Sequence, residues 1–385
     1  MLHTRTILIN LLIQVVTGIL VVLLSGTSMA CRMYGALSNN LPDNMLEALL
    51  ITDPNSLFEL SHIHTDGWGI AYYPAYGDTP TIERGAIRAW NDPEYTTVVN
   101  QISLLEPNIT LVHLRWCTGG CCDHGGDSIA NPHPFYRTKN GKTWVFAHNG
   151  GVESTRLYTL IGDEYLNENG PYGSDVPGCT TPDPYDSIVI SSELYFLHIL
   201  KNIEENNWDP VNGIVKAVKE LINDGETGGM IFLLSDGDTI WAFCRGSVPS
   251  YHTLYYDYNP AEGYSAVASH YPSTSQGNWQ LINNNELAVF INNDAPIVID
   301  VTTFTSTTIS SQPCTAEKIY GEDSKEAELL KYLRDNVLIH TPEGQEIIKL
   351  YYEWSPTIVK AMEEDGTFKE KVKEIIDVVL GLFFY

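Results

Sequence analysis

A cysteine, Cys31, directly follows a segment that has the three parts of an export signal. Residues 1–6 carry one arginine, residues 7–24 are almost wholly apolar, and residues 25–30 are mostly small and end in Ser28-Met29-Ala30. Signal peptidases cleave after such a small-x-small pattern. We therefore predict a cleaved signal peptide over residues 1–30, an extracytoplasmic protein that is secreted or held at the cell surface, and a mature chain that starts with Cys31.

Two other interpretations of this segment stay open. The apolar run could be retained as a membrane anchor, although Asn10, Gln14 and Thr17 interrupt it and a spanning helix needs about 20 predominantly apolar residues. A lipoprotein signal also ends before a cysteine, but Ser28 stands where such signals usually carry a branched apolar residue. Lipidation would consume the reactive groups of Cys31.

Cleavage after Ala30 would place a thiol and a free α-amino group on one residue. An α-amino group has a pKa of about 7.7 to 8.0, so it can accept a thiol proton near neutral pH. Cys31 is therefore a candidate nucleophile that carries its own base. A disulfide is the alternative, but seven cysteines leave one over if the others pair.

The chain is strongly acidic, with 22 basic and 48 acidic residues and a formal net charge of -26. Nucleic acids and anionic lipid surfaces attract proteins through a positive field, so we expect a small-molecule substrate and no nucleic-acid partner. No nucleotide-binding motif is present, and we expect no cofactor. We also expect no metal site, because the candidate ligands lack paired metal-binding spacing; they are His62, His64, His113, His124, Cys121 and Cys122.

The order of apolar patterns predicts an α+β fold. Short apolar runs predict strands up to about residue 150 and again over 230–291, and helical spacing appears at 191–203 and 212–222. The Gly-, Pro-, Tyr- and Asp-rich stretch 151–183 predicts a long surface loop. A Thr/Ser-rich linker, 302–313, separates the domain 31–301 from a small helical module, 314–385.

Two strand ends carry groups suited to acyl chemistry. Arg115 ends one apolar run, and its planar guanidinium suits a substrate carboxylate, although an ion pair with an acidic residue is an equal alternative. Asn149 and Gly150 end another run and could direct an amide and a backbone N–H at an oxyanion. Asn-Gly is also the commonest hairpin turn, which is the simpler interpretation of the pair taken alone.

Two further stretches, His64 to Gly69 and Asn131 to Phe135, could be tight turns with a packed aromatic residue or walls of a substrate pocket. Together with Cys31-Arg32, the motif His113-x-Arg115-x-x-Thr118 and His148-Asn149-Gly150, in this order, they resemble the class II glutamine amidotransferases. The resemblance runs from Cys31 to about Val301 and is greatest to the stand-alone subgroup. It implies the four-layer αββα sandwich of the N-terminal-nucleophile hydrolases.

The resemblance also implies a role for each matching residue. Cys31 would attack a glutamine or γ-glutamyl amide and form a γ-glutamyl thioester, and Asn149 and Gly150 would form the oxyanion hole. Arg115 and Thr118 would hold the α-carboxylate of the substrate, in a pocket that His133 and His148 line.

One position departs from the family pattern. Relatives carry an aspartate that binds the substrate's α-amino group, but Ser191 stands at that position here. Either Asp186 substitutes for it, or the substrate has no free α-amine.

The tail from Cys314 resembles a degenerate CFI-box domain, a helical module appended to exported proteins. No activity can be inferred from this resemblance. We interpret the tail as a module that contacts a partner protein, the main domain or a membrane.

The sequence thus predicts an exported, cysteine-dependent amidohydrolase. Two alternatives stay open: a catalytically silent binding protein on the same fold, and a hydrolase of non-glutamyl amides.

Overall fold

The computed structural model describes residues 31–38, 45–116, 133–171, 191–246, 252–273, 277–291, 294–304, 315–321, 324–327, 329–330, 358–362 and 365–384. The strands among them are β1 (Arg32–Ser38), β2 (Trp68–Tyr73), β3 (Thr81–Gly85), β4 (Ile109–Leu114), β5 (Phe135–Lys139), β6 (Lys142–Gly150), β7 (Met230–Ser235), β8 (Thr239–Cys244), β9 (Leu254–Asn259), β10 (Tyr264–Ala268), β11 (Gln280–Ile282), β12 (Glu286–Ile291) and β13 (Ile297–Asp300). The helices are α1 (Met45–Glu47), α2 (Leu57–Leu60), α3 (Pro93–Leu105), α4 (Ser154–Ile161), α5 (Asp163–Asn169), α6 (Ser191–Glu205), α7 (Pro210–Asn223), α8 (Thr315–Tyr320) and α9 (Gly366–Phe384).

The strands form two sheets in which every described pairing is antiparallel. Sheet A has the order β11-β9-β10-β1-β4-β2-β3, and sheet B has the order β13-β12-β8-β7-β6-β5. Strand β1, which begins directly after Cys31, lies between β10 and β4 inside sheet A. Strand β6, which ends at Gly150, lies between β5 and β7 inside sheet B.

Three apolar cores show that the sheets and helices form four layers. Successive side chains of a strand point to opposite faces, so Leu111 and Val112 of β4 enter different cores. Leu111 packs in the core that also holds Leu233 of β7, between the two sheets. Val112 packs with residues of α1 to α3 on the outer face of sheet A. Phe232 of β7 packs with α4, α6 and α7 on the outer face of sheet B. The order helix, sheet, sheet, helix confirms the predicted α+β class and αββα sandwich.

Most strands lie where the apolar runs predicted them, but some helices were missed. The stretch 151–183 was predicted as one loop, whereas α4 and α5 occupy residues 154–169 of it. Glu153 caps α4 because its carboxylate accepts hydrogen bonds from the N–H groups of Thr155 and Arg156 at 3.1 and 3.2 Å. The prediction of a loop was wrong because α4 buries only Leu157 and Ile161, which gives a weak periodic signal in a polar context.

Helix α3 was also missed, within the segment predicted as strands and turns. Asp92 caps it by accepting from the N–H of Glu94 at 3.1 Å, and Pro93 occupies the first turn. An Asp-Pro pair before periodic apolar residues is a helix-start signal that the sequence does contain.

The chain divides into two compact units, one up to Phe304 and one from Thr305. The described residues of the second unit include helices α8 and α9. No helix among the described residues is long and apolar enough to cross a membrane. The predicted signal peptide and most of the linker lie outside the described residues, and the proposed domain boundaries stay predictions.

A buried ion pair fastens α6 to sheet B. Arg137 of β5 donates to Glu193 of α6 at 2.5 Å, and their side chains are only 8% and 3% exposed. This charge-assisted contact, in a low-dielectric environment, therefore couples the register of β5 to the position of α6.

We expect Glu193→Leu to lower the free energy of unfolding by about 3–5 kcal/mol, because it leaves the Arg137 charge buried without its acceptor. The double substitution Arg137→Met with Glu193→Leu should recover most of that loss. The measurement is urea-induced unfolding at neutral pH.

The matched control is the exposed pair Lys216–Glu205, whose side chains are both 41% exposed. Lys216→Ala should cost less than about 1 kcal/mol. Equal losses from Glu193→Leu and Lys216→Ala would contradict the assignment of a desolvated pair.

Candidate active site

The thiol of Cys31 lies beside the backbone of Trp116, just after the end of β4. The Trp116 N–H donates to the sulfur at 3.2 Å, and the thiol lies 3.3 Å from the Trp116 carbonyl oxygen, which accepts from it. This contact is possible because β1 and β4 pair with Arg32 opposite Leu114. Among the described residues, Cys31 and Cys244 carry free thiols, and Cys31 is partly buried.

The carbonyl oxygen of Cys31 is held from two sides. The Asn149 amide donates to it from Nδ2 at 2.8 Å, and the Arg32 guanidinium donates from Nη1 at 3.2 Å. Asn149 belongs to sheet B and Arg32 to sheet A. Cys31, which directly precedes β1, is thereby held between the two sheets, and its sulfur contacts Trp116.

The surroundings of the Cys31 thiol shift its pKa in opposite directions. Burial raises the pKa of the Cys31 thiol, while the Trp116 hydrogen bond and the positive charges of Arg115 and Arg32 lower it. The net shift is upward, so the thiol is protonated at neutral pH. A nucleophilic role for Cys31 therefore requires a nearby base.

Arg115 directly follows β4, and its backbone is hydrogen-bonded to the segment at residues 66–67. The Arg115 N–H donates to Gly67 O at 2.9 Å, and the Asp66 N–H donates to Arg115 O at 3.3 Å. Burial lowers the pKa of the Arg115 guanidinium, and the neighbouring Cys31 and Asp66 raise it. The guanidinium of the predicted carboxylate anchor is therefore near enough to the thiol to interact with it electrostatically, and the segment at residues 66–67 holds its backbone.

Asn149 and Gly150 are ladder residues and do not form a hairpin turn. Asn149 pairs with Ile231 and Gly150 with Met230 across β6 and β7, so the turn alternative is wrong. Gly150 has φ of +127°, and a Cβ there would lie 2.2 Å from the carbonyl oxygen of Gly229. Only glycine fits this backbone conformation and this close approach.

Three buried histidines lie behind these groups. The ring centroids of His113 and His133 are 4.2 Å apart, and those of His133 and His148 are 6.5 Å apart. Burial lowers the pKa of His113 to about 3 and that of His148 to about 4, and it holds the pKa of His133 well below its usual range. All three are neutral at physiological pH, so none supplies positive charge to the site.

The hydrogen bonds of His148 define its tautomer. Nε2 donates to Gly229 O at 2.9 Å, so Nδ1 is unprotonated and accepts from the Ser192 hydroxyl at 2.9 Å. His113 donates from Nε2 to His148 O at 3.2 Å. Neither ring nitrogen of His133 has a hydrogen-bond partner among the described residues. In that same part of the chain, no group of three or more His, Cys, Asp or Glu is placed to hold a metal ion.

The structure brings together Cys31, Arg115, His133, His148, Asn149 and Gly150 from the predicted set. Ser191 is the first residue of α6 and is partly exposed, next to the Ser192 that bonds His148. Thr118 and Asp186 lie outside the described residues, as do Cys117, Cys121, Cys122, Cys179 and Cys314.

Several contributors were not predicted from the sequence. They are the Trp116 backbone, which contacts the thiol, the Arg32 guanidinium, and the segment Glu226 to Gly229, which packs against Gly150. A backbone contact leaves no signature in residue type. Paired glycines at 228–229 before a strand were the one signal that could have indicated a close backbone approach.

Comparison with known proteins gives consistent results. A family model described as "Glutamine amidotransferases class-II" matches residues 55–256, a little over half of the chain. This range contains Arg115, Asn149 and Gly150 and begins after Cys31.

Two relatives match about half of the chain. An uncharacterized protein of Methanocaldococcus jannaschii is 29% identical over 199 residues, which cover 49% of this chain and 45% of the relative. A protein of Haemophilus influenzae, named as a candidate glutamine amidotransferase, is 26% identical over 194 residues, which cover 48% of this chain and 54% of the relative. The chain thus spans about half the length of these relatives.

Among solved structures, a glutamine aminotransferase class-II domain protein from Silicibacter pomeroyi matches at 20% identity and a TM-score of 0.44. The match covers 70% of this chain and 99% of that one.

We expect the rings of His113, His133 and His148 to show no titration between pH 5 and 8 when their Cε1–H signals are followed by NMR. The unfolded protein in urea is the control, because its histidines should titrate near a pKa of about 6.5.

Below about pH 6.5 the unfolded chain binds more protons than the folded one. The free energy of unfolding should therefore fall as pH drops from about 6.5 toward 4. The slope should approach about 1.4 kcal/mol per pH unit for each such histidine. A ring assigned to one of the three that titrates near pH 6.5 in folded protein would contradict this.

Proposed function

The chain belongs to the class II glutamine amidotransferases, a family that releases nitrogen from an amide, and we propose that it is an exported hydrolase of glutamine or γ-glutamyl amides whose nucleophile is the thiol of Cys31. The observation that carries this proposal is the position of Cys31. Its sulfur lies at the start of β1, its carbonyl is held by Asn149, and Arg115 lies beside it.

The first step is attack by the thiol. Export processing after Ala30 would leave a free α-amino group on Cys31, and this amine takes the proton of the thiol. The thiolate then attacks the γ-carbonyl carbon of the substrate, and the carbonyl oxygen becomes an oxyanion. Because the pKa of the buried thiol is raised, proton removal by the amine is required for attack.

The second step is expulsion of the substrate's amide nitrogen as the leaving group. The oxyanion is stabilised by the Asn149 amide and the Gly150 N–H. Nδ2 of Asn149 carries two hydrogens, so it can hold the Cys31 carbonyl with one and donate the other to the oxyanion. The carbon–nitrogen bond breaks, the α-ammonium returns its proton to the leaving nitrogen, and a γ-glutamyl thioester forms. Water then hydrolyses the thioester, with the same amine as base.

Arg115 is proposed to bind the substrate's α-carboxylate. Its guanidinium is partly desolvated at the sheet end beside the thiol, where a bidentate pair with a carboxylate gains strength. The neutral histidines behind it do not compete for that anion. Thr118 is proposed to assist.

The α-amino side of the substrate is less defined. Ser191 cannot pair with an ammonium as a carboxylate does, so a substrate whose α-amine is blocked is the alternative to binding through Asp186.

Hydrolysis is favoured over transfer of ammonia because the sequence has no nucleotide-binding motif to activate an acceptor. The helical module predicted over residues 314–385 is proposed to contact a partner protein or a membrane.

We expect a glutamine-mimicking diazo-ketone to label Cys31 of correctly processed protein stoichiometrically, as read by mass spectrometry of the N-terminal peptide. Cys31→Ala should abolish both the label and hydrolysis. Cys244, the other free thiol among the described residues, is buried, and Cys244→Ala is the control. This control variant should keep both the labelling of Cys31 and the hydrolysis. Hydrolysis that persists in Cys31→Ala would disprove the proposed mechanism.

We expect Arg115→Met to lower kcat/KM about 10- to 100-fold for a γ-glutamyl amide with a free α-carboxylate, since hydrogen bonds to charged groups contribute about 1.5–3 kcal/mol. The same substrate with its α-carboxylate converted to a carboxamide should show little difference between wild type and variant. Arg115→Lys, which keeps the charge but loses the fork, should be intermediate. If Arg115→Met loses equal activity on both substrates, Arg115 does not read the carboxylate.

A further inference from the structure

The glycine that would supply the oxyanion N–H is shaped by a second loop. Gly150 packs directly on Gly229, and a Cβ on Gly150 would lie 2.2 Å from Gly229 O and 2.6 Å from Gly229 Cα. One residue further, a Cβ on Gly228 would lie 1.9 Å from Gly151 O. Two backbone segments therefore touch without intervening side chains, and a shift of one moves the other.

A single carboxylate holds this second loop. Oε1 of Glu226 accepts from the N–H of Thr227 at 2.8 Å and from the N–H of Gly228 at 2.7 Å. Its other oxygen, Oε2, accepts from the N–H of Glu153 at 2.9 Å, three residues after Gly150. Glu226 is only 6% exposed. The carboxylate thus bridges the Gly228–Gly229 loop to the chain that leaves β6.

His148 provides a second bond between the same two segments. Its Nε2 donates to Gly229 O at 2.9 Å, and the Ser192 hydroxyl fixes the ring from the other nitrogen. His148 precedes the pair Asn149-Gly150 in the chain, and Glu153, which donates to Glu226, follows it. The proposed oxyanion residues therefore have a contact with the Gly228–Gly229 loop region both before and after them in sequence.

The Glu226 carboxylate is charged throughout the neutral range. Burial raises its pKa, but the three backbone N–H bonds and the Arg156 guanidinium lower it more, so the net pKa lies below its ordinary value. Arg156 Nε is 3.9 Å from Oε2, and Arg156 also pairs with Asp224 at 3.1 Å. The N–H bonds are the main contacts of Glu226, and the ion pair is secondary.

We propose that Glu226 is a positioning residue for the oxyanion hole, which acts by holding Gly228 and Gly229 against Gly150 and thereby directing the Gly150 N–H. The proposal rests on the proposed function of Cys31 and Asn149. Because the geometry matters only when the substrate carbonyl has become an oxyanion, Glu226 should affect kcat and leave ground-state binding unchanged.

The test compares Glu226→Ala and Glu226→Gln with wild type. Glu226→Ala removes all three acceptor bonds, and we expect kcat to fall about 100-fold, as for a displacement of about 1 Å or the loss of one oxyanion donor. KM should change less than about 2-fold. Glu226→Gln can keep Oε1 on Thr227 and Gly228 and should retain more activity than Glu226→Ala. Arg156→Met is the matched control. It removes the guanidinium contacts with Glu226, Asp224 and Glu153 but none of the three backbone N–H bonds to the Glu226 carboxylate, and it should keep kcat.

A second readout separates positioning from general damage. The γ-aldehyde analogue of glutamate is used with its α-amine acylated, because a free amine would condense with the aldehyde to a cyclic imine. It should form a thiohemiacetal with Cys31, whose oxygen occupies the oxyanion position, whereas glutamate with the same acyl group, the glutamate control, binds without that oxygen. Glu226→Ala should weaken the aldehyde by the same factor as kcat and leave glutamate affinity unchanged. If Glu226→Ala does not fold, Glu226→Asp, which keeps the charge but is one methylene too short to bridge both segments, takes its place.

Two results would overturn the proposal: kcat within about 3-fold of wild type in a folded Glu226→Ala or Glu226→Asp variant, or an equal loss of aldehyde and glutamate binding. Failure of the proposed function is distinguishable, because then wild-type protein itself would neither hydrolyse the amide nor form the thiohemiacetal.

Discussion

The hydrogen bond from Asn149 Nδ2 to the carbonyl oxygen of Cys31 is the contact on which the site depends. It joins Cys31, the residue directly before β1 of sheet A, to the end of β6 in sheet B, and the core between the sheets holds the two strands at that separation. Without it the thiol and the proposed oxyanion donors would belong to independent layers. Gly150 adds to the constraint, because its positive φ and its contact with Gly229 fix where β6 stops.

Electrostatics around the thiol follow from which groups are buried and which are charged. Arg32 and Arg115 are the cations that stabilise a thiolate at Cys31, and both are largely withdrawn from water. Burial keeps His113 and His148 neutral, and the polar contacts described for their rings are hydrogen bonds. A raised thiol pKa means that Cys31, in its proposed role as nucleophile, would attack only after a base removes its proton. In the proposed mechanism that base appears only when the chain is cut before Cys31.

The sequence was sufficient for those parts of the fold and site that are encoded locally. Apolar runs located most strands and helices α6 and α7. The motif order predicted a site with Cys31, Arg115, Asn149 and Gly150, and the structure places Arg115 and Asn149 close to Cys31. Prediction from the sequence failed where the same composition is compatible with more than one local structure. Residues 151–183 were predicted as a loop but contain helices α4 and α5, and Asn149-Gly150 taken alone favoured a turn but lies in β6. The contacts of the Cys31 thiol with Trp116, of the Glu226 carboxylate with Glu153 and of Gly229 with Gly150 depend on which segments the fold brings together. Only the paired glycines 228–229 indicated one of them in the sequence.

The central claim is that one residue, Cys31, supplies both the nucleophile and the base. It is tested most directly by two preparations that differ by a single residue, one starting at Cys31 with a free amine and one starting at Ala30. Initial rates of γ-glutamyl amide hydrolysis are compared after both are shown to be folded. The account predicts activity in the first and a loss of at least about 100-fold in the second, since the base is then an unreactive amide nitrogen. Equal rates in the two preparations would contradict it.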